Sequence, residues 1–252
     1  MSELENIRVK QAGLKSACAS CSVLELCLPL GLNETEVKRL DDMIVQRIRI
    51  KKGSTLYRQG DPLHALYAVR QGFFKTTLTS EDGREQVTGF QMTGEMLGMD
   101  AISDDQHACN AVALEDSEVC PIHFSQLERL SRDLPSLQHN LNKLMSREIV
   151  RDHSLLLMMG NMNSDERLAA FFLNLSQRLA LRGYSPFNFI LRMRREEIGS
   201  YLGLRLETIS RGIAKLRELK LVNVDAREVK ILDMHGLKNL VAGCNQHGNP
   251  HD

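Results

Sequence analysis

The chain has no net charge: its 32 Lys and Arg are matched by 32 Asp and Glu across 252 residues. It has no uninterrupted apolar run approaching the roughly 20 residues that a membrane-spanning helix needs. Its opening residues, MSELENIRVK, mix both signs of charge and lack the apolar centre of a secretory signal, so a cytoplasmic location with no membrane partner is the expectation. Nor does it have the composition of a disordered chain. Apolar residues make up 42%, enough to build a core, and the 25% that are charged cancel. Without a secretory signal, six cysteines do not read as a disulfide framework, and their close spacing points to metal or redox chemistry.

Neutrality is an average. Between Ser164 and Lys220 there are eleven Lys/Arg against six Asp/Glu, an excess of five positive charges, so the rest of the chain is five negative. A basic C-terminal third inside a neutral chain points to a local polyanion site.

Four regions separate by pattern. Residues 1–30 form a cysteine-bearing arm. Residues 31–125 are punctuated by glycine at 53, 60, 72, 83, 89, 94 and 98, with short β-type runs between, as in an antiparallel sandwich or jelly roll. Glu81-Asp82-Gly83-Arg84 reads as the turn of a hairpin. Residues 126–160 read as one long helix whose stripe of Leu134, Leu137, Leu141 and Leu144 continues through Glu148 and Arg151 or Asp152 to Leu155 and Met158. A continuous stripe on so long a helix suggests a homodimer seam, weakened at its centre by charge. Residues 161–252 read as a helical and then mixed DNA-binding domain, with Ser164 expected to cap the helix that opens it, without a full capping box, and Gly183 to end it. The fold class is therefore α+β.

Arg194 to Lys220 has the helix-turn-helix pattern. Ile198 and Leu202 would bury the first helix, Gly203 permits the positive φ of a tight turn, and Leu204 fills the angle. Ile209, Ile213 and Leu216 would bury the second helix, leaving Glu207, Ser210, Arg211 and Lys215 on its outer face. Arg211 can give two hydrogen bonds to a guanine edge, Glu207 can accept from cytosine, and Ser210 can reach a base. Arg194, Arg195, Arg205 and Lys215 would neutralise phosphates of double-stranded DNA.

Cys18-x2-Cys21-x5-Cys27 puts three thiols on one short arm, close enough to share a metal centre. A fourth ligand must come from Cys109 or Cys120, and spacing alone does not choose between zinc and iron–sulfur. Cys244, in a polar tail, reads as unligated.

This order of elements resembles the cyclic-AMP receptor protein superfamily. The arm CxxCxxxxxC, with GDPLHALYAVRQG, DERLAAFFLNLSQR and YLGLRLETISR, resembles its oxygen-sensing branch, the fumarate and nitrate reduction regulator (FNR) family. The resemblance implies an N-terminal jelly-roll domain related to cyclic-nucleotide-binding domains, a long dimerisation helix and a C-terminal winged helix-turn-helix. It implies a 4Fe-4S cluster on Cys18, Cys21, Cys27 and Cys120, with Cys120 favoured over Cys109 as the fourth ligand. It further implies that the intact cluster favours a dimer and DNA binding, and that oxygen converts it to a two-iron form and releases DNA. Matching the family's reading residues to Glu207, Ser210 and Arg211 implies TTGAT-type half-sites, and the 81–84 hairpin becomes a candidate contact for RNA polymerase. Arg205 departs from the family pattern and adds a charge in the turn, while Leu206 stands where cyclic-AMP-responsive members carry arginine.

Two rivals share this fold, a cyclic-nucleotide-responsive regulator and one stabilised by zinc. GEMLG (Gly94 to Gly98) suits a nucleotide pocket, but His107-Ala108-Cys109-Asn110 offers no arginine to hold the phosphate. An enzyme is not expected: His64, His107, His123, His139 and His153 are scattered, and the carboxylate pairs Asp104-Asp105 and Glu196-Glu197 fall at turns or helix starts.

Overall fold

The computed structural model describes Cys18 and residues 21–22, 24–44, 47–80 and 82–242. Cys244, Glu81 and much of the 1–30 arm lie outside the described residues. The chain forms two compact units, residues 1–147 and 148–252. Among the described residues no helix is long and apolar enough to cross a membrane.

The first unit opens with α1 (Glu34–Asp41) and continues through β1 (Ile48–Ile50), β2 (Thr55–Tyr57), β3 (Ala65–Gln71), β4 (Phe73–Thr79), β5 (Glu85–Met92), β6 (Met96–Leu97), β7 (Asn110–Ala113) and β8 (Ser117–His123). The strands form two antiparallel four-stranded sheets, ordered β1-β8-β3-β6 and β2-β7-β4-β5. Alternate side chains of a strand point to opposite faces, so β3, β6 and β8 of the first sheet each serve two cores. Ile50, Val69, Leu97 and Val119 meet Tyr57, Phe74, Ala111 and Ala113 between the sheets. Leu66, Ala68, Met96 and Ile122 point the other way, onto helices and the cysteine segment. The β4–β5 hairpin closes where Gly83 N–H donates to Ser80 C=O at 2.8 Å.

The helical stretch expected over 126–160 is two helices, α2 (Phe124–Asp133) and α3 (Pro135–Asn161). Pro135 has no N–H and disfavours helical backbone in the residue before it; Leu134 is extended at φ −122°, ψ 92°. The expectation of one helix missed this break. The helix α1, inside the region read as β, was missed as well. Its capping box is explicit, with Asn33 and Glu36 exchanging backbone hydrogen bonds at 2.9 and 3.0 Å.

The second unit contains the end of α3, then α4 (Ser164–Ala180), β9 (Asn188–Ile190), α5 (Arg195–Leu202), α6 (Leu206–Glu218), β10 (Val222–Asp225), β11 (Glu228–Ile231) and α7 (Met234–Ala242). The wing is a three-stranded sheet, ordered β10-β11-β9. The cap of α4 is Asn163, not Ser164: its side chain accepts from Asp165 and Glu166 N–H, and Glu166 returns the bond, completing the capping box that the Ser164 register denied. Arg167 ties this unit together, donating to the carbonyls of Met159, Met162 and Leu202.

Candidate metal centre and nucleic-acid interface

Cys18, Cys21, Cys27 and Cys120 line a single open-mouthed cavity, about 400 Å³ including its mouth. Cys120 arrives on β8 directly opposite Ala68 of β3. Cys18 and Cys27 pack with it against the core that the helices share. Two anchors fix the cysteine segment: Cys18 N–H donates to Asp41 Oδ1 at 2.5 Å, and the buried amide of Asn140 on α3 donates to Leu28 C=O at 3.1 Å and Leu30 C=O at 2.5 Å. The other walls are mostly apolar, including Leu28, Leu40 and Ile122, and among the described residues Arg70 is the one charged lining residue.

This setting keeps the thiols of Cys18, Cys27 and Cys120 protonated. Burial, reinforced by the Asp41 carboxylate, holds Cys18 far above an ordinary thiol. Burial pushes Cys27 up to about 12 despite the Leu28 N–H, and Cys120 up to about 11 although Arg47 and Arg70 oppose it. Loading metal here must therefore expel protons. Among the described residues, no three His, Cys, Asp or Glu side chains converge tightly enough to chelate one ion.

Cys109 is elsewhere. It belongs to the core between the sheets, with its Sγ donating to Asp100 Oδ2 at 3.4 Å. Burial and the Asp100 charge push its thiol up to about 12.

In the second unit α5 and α6 form the helix-turn-helix. Gly203 at φ 65° makes the turn, and a side chain on Gly199 would meet Leu204 C=O at 2.6 Å, so the helix approach also depends on a glycine that the sequence pattern did not single out. Ile209, Gly212, Ile213 and Leu216 are buried. Arg205, Glu207, Arg211 and Lys215 are exposed and Ser210 is half-buried. Glu207 and Arg211 have no side-chain partner among the described residues. Lys215 differs from expectation: its ammonium is ion-paired with Asp165 in the first turn of α4 and is not a free cation. Glu197 is buried and caps α5 by accepting from Arg194 N–H at 2.7 Å.

Known proteins share this layout. A family profile described as a cyclic nucleotide-binding domain matches residues 47–133, and one described as a Crp-like helix-turn-helix domain matches residues 166–240. The transcriptional regulatory protein btr of Bordetella pertussis is 49% identical over 89% of this chain and 93% of its own length. The fumarate and nitrate reduction regulatory protein of Escherichia coli K12 is 42% identical over 92% and 93%. The chain belongs to the FNR family of transcription regulators. Among solved structures, FixK2 from Bradyrhizobium japonicum superposes with a TM-score of 0.71 at 27% identity, covering 77% of this chain and 96% of that one.

In the jelly-roll domain of this FNR-family chain, whose profile is described by nucleotide binding, the His107–Asn110 stretch is held by internal contacts. His107 is buried and stacked on Tyr57 with ring centroids 3.6 Å apart. Asp100 accepts from Ala108 N–H at 2.9 Å. Burial opposes its ionisation, but the neighbouring His107, with Nδ1 3.5 Å from Oδ2, and hydrogen bonds from Cys109 outweigh that and hold its carboxyl below the usual range. An anionic phosphate would meet a carboxylate there. GEMLG is turn architecture: Glu95 Oε2 accepts from Met92 N–H at 3.0 Å, and Gly94 and Gly98 both have positive φ.

The leucines expected on the seam of α3 lie largely inside this chain: Leu137 and Leu141 are buried in its core, and half-buried Leu144 packs against it. Glu148 is half-buried and bridges to Arg151 at 2.9 Å, Leu155 is half-buried and Asp152 is exposed. The apolar side chains that α3 exposes are Ile149, Val150, Leu156 and Leu157, each at least 54% exposed.

Proposed function

We propose that this chain is an oxygen-responsive regulator whose dimerisation and binding to palindromic DNA of TTGAT-type half-sites depend on a 4Fe-4S cluster held by Cys18, Cys21, Cys27 and Cys120. The observation that carries this reading is the shared cavity of those four cysteines. The thiol donors and apolar walls fit an iron–sulfur group, and the resemblance to the oxygen-sensing regulators favours it over zinc. When bound, such a group supplies an oxygen-reactive inorganic core. Everything else is work for the protein's own side chains. Asp41 and Asn140 fix the cysteine segment, Asn140 from α3, and the exposed Ile149, Val150, Leu156 and Leu157 of that helix form the homodimer contact, with Glu148, Arg151 and Asp152 limiting its strength. Arg211 reads guanine, Glu207 and Ser210 read neighbouring bases, and Arg205, Arg194 and Arg195 hold phosphates. Lys215 joins them by exchanging Asp165 for a phosphate. The setting is cytoplasmic, and RNA polymerase is the partner at a promoter, with the 81–84 hairpin as a contact.

The test is purification without oxygen. The protein is expected to be brown, to contain iron and acid-labile sulfide, and to bind a TTGAT-palindrome duplex. Exposure to air should bleach the colour and weaken binding together. A colourless protein that contains zinc and binds equally well in air would overturn the reading.

A further inference from the structure

Next to the cysteine cavity lies a group of charges that the ligand set does not use. Ala68, Arg70 and Cys120 line the cavity, and Glu118, two residues from Cys120 on β8, lies on the same face of that strand. The pairing of β3 with β8 slips there: Val69 faces Val119, Gln71 faces Glu118, and Arg70 is the extra residue of a bulge, a device that re-aims a side chain beside a functional site. Arg70 Nη1 donates to Glu118 Oε1 at 2.7 Å, Arg47 Nη1 lies 3.7 Å from the same oxygen, and the more exposed Arg49 Nε lies 3.8 Å from Oε2. Arg70 also reaches the Cys21 thiol. One carboxylate thus faces several guanidiniums. The Nε–H groups of both Arg47 and Arg70 are buried with no acceptor among the described residues.

Buried guanidinium N–H groups without acceptors are costly, and an excess of positive charge at a buried site calls for an anion. A four-iron core on four thiolates has a net charge of about −2. We propose that Arg70, backed by Arg47 and held in place by Glu118, is the positioning and charge-compensating residue for the group bound by Cys18, Cys21, Cys27 and Cys120, and sets how firmly its iron is retained. This rests on the cluster reading above. Glu118 is the counterweight: it quiets the two arginines when the cysteines carry only protons, and it opposes them when the cysteines carry charge.

The sign of two substitutions separates this role from simple structural support. Wild type, Arg70→Gln, Arg70→Lys and Glu118→Gln are reconstituted with iron and sulfide without oxygen. Iron and sulfide per chain, visible absorption and the rate of iron loss to a ferrous chelator are then measured, with circular dichroism to check folding. Arg70→Gln is expected to lose iron about ten-fold faster or more, and Arg70→Lys to recover most of the difference. Glu118→Gln is expected to retain iron as long as wild type or longer. If the ion pair were merely structural, Arg70→Gln and Glu118→Gln would lose iron alike, and that result overturns the proposal, as does Arg70→Gln matching wild type. If Arg70→Gln does not fold, the rate for Glu118→Gln decides, faster loss than wild type overturning the proposal. A wild type that takes up no iron and sulfide overturns the cluster reading, and this inference with it.

Discussion

The cysteine cavity and the DNA-reading helix are built in opposite ways. The cavity gathers groups from distant stretches of chain, namely the segment around Cys18 to Cys27, Arg70 on β3 and Cys120 on β8, and buries them among apolar walls. The reading face comes from one continuous helix, Leu206–Glu218, and its Glu207 and Arg211 stand in solvent. A buried site depends on its surroundings for charge balance, so its neighbours matter as much as its ligands. An exposed helical face depends mostly on its own side chains.

The sharpest way to break this contrast is to remove one cysteine from each core. Cys120→Ala is expected to abolish iron uptake and, with it, DNA binding, whereas Cys109→Ala should keep both, as iron analysis and a gel-shift titration would reveal. Reversed outcomes would move the fourth ligand to the core between the sheets. Next in size, Leu137→Ala should cost about 2–5 kcal/mol of stability in denaturant, because it empties a fully buried position. Sedimentation should show the dimer constant little changed by it, while Leu156→Glu should do the reverse, giving folded monomers. Smaller still, Arg211→Ala should weaken specific DNA binding by about 1–3 kcal/mol and relax choice at one base, read by competition with substituted half-sites. Smallest, Lys215→Gln removes the cation that would leave Asp165 for a phosphate and should make the log–log salt dependence of DNA binding shallower by about one. An unchanged slope would mean that Lys215 does not reach a phosphate.

The same contrast governs what could be read from the sequence. The reading helix was legible because Ile209, Ile213 and Leu216 recur at helical spacing, and Gly203 marks the turn. The cavity was legible only as three closely spaced thiols. Spacing left zinc and iron–sulfur undecided and could not choose between Cys109 and Cys120, since only folded strands put them in different cores. Arg70 and Glu118 are 48 positions apart and carry no local signal of their ion pair. The stripe on α3 was periodic as read, but periodicity does not say which partner a face meets. Leu137 and Leu141 meet their own chain. The cap of α4 was misassigned because Asn163 and Ser164 are both good caps, and only Asn163 has glutamate three residues on.

Asn140 gives the first unit a mechanical property. Its amide carries the backbone just beyond Cys27 on the start of α3, through two hydrogen bonds shielded from water. If the chain refolds around Cys27, either α3 moves with it or Asn140 is left buried without its acceptors, at about 1–3 kcal/mol. Strain at the cysteines is thus borne first by a helix, a stiff lever, and not dissipated in a loop.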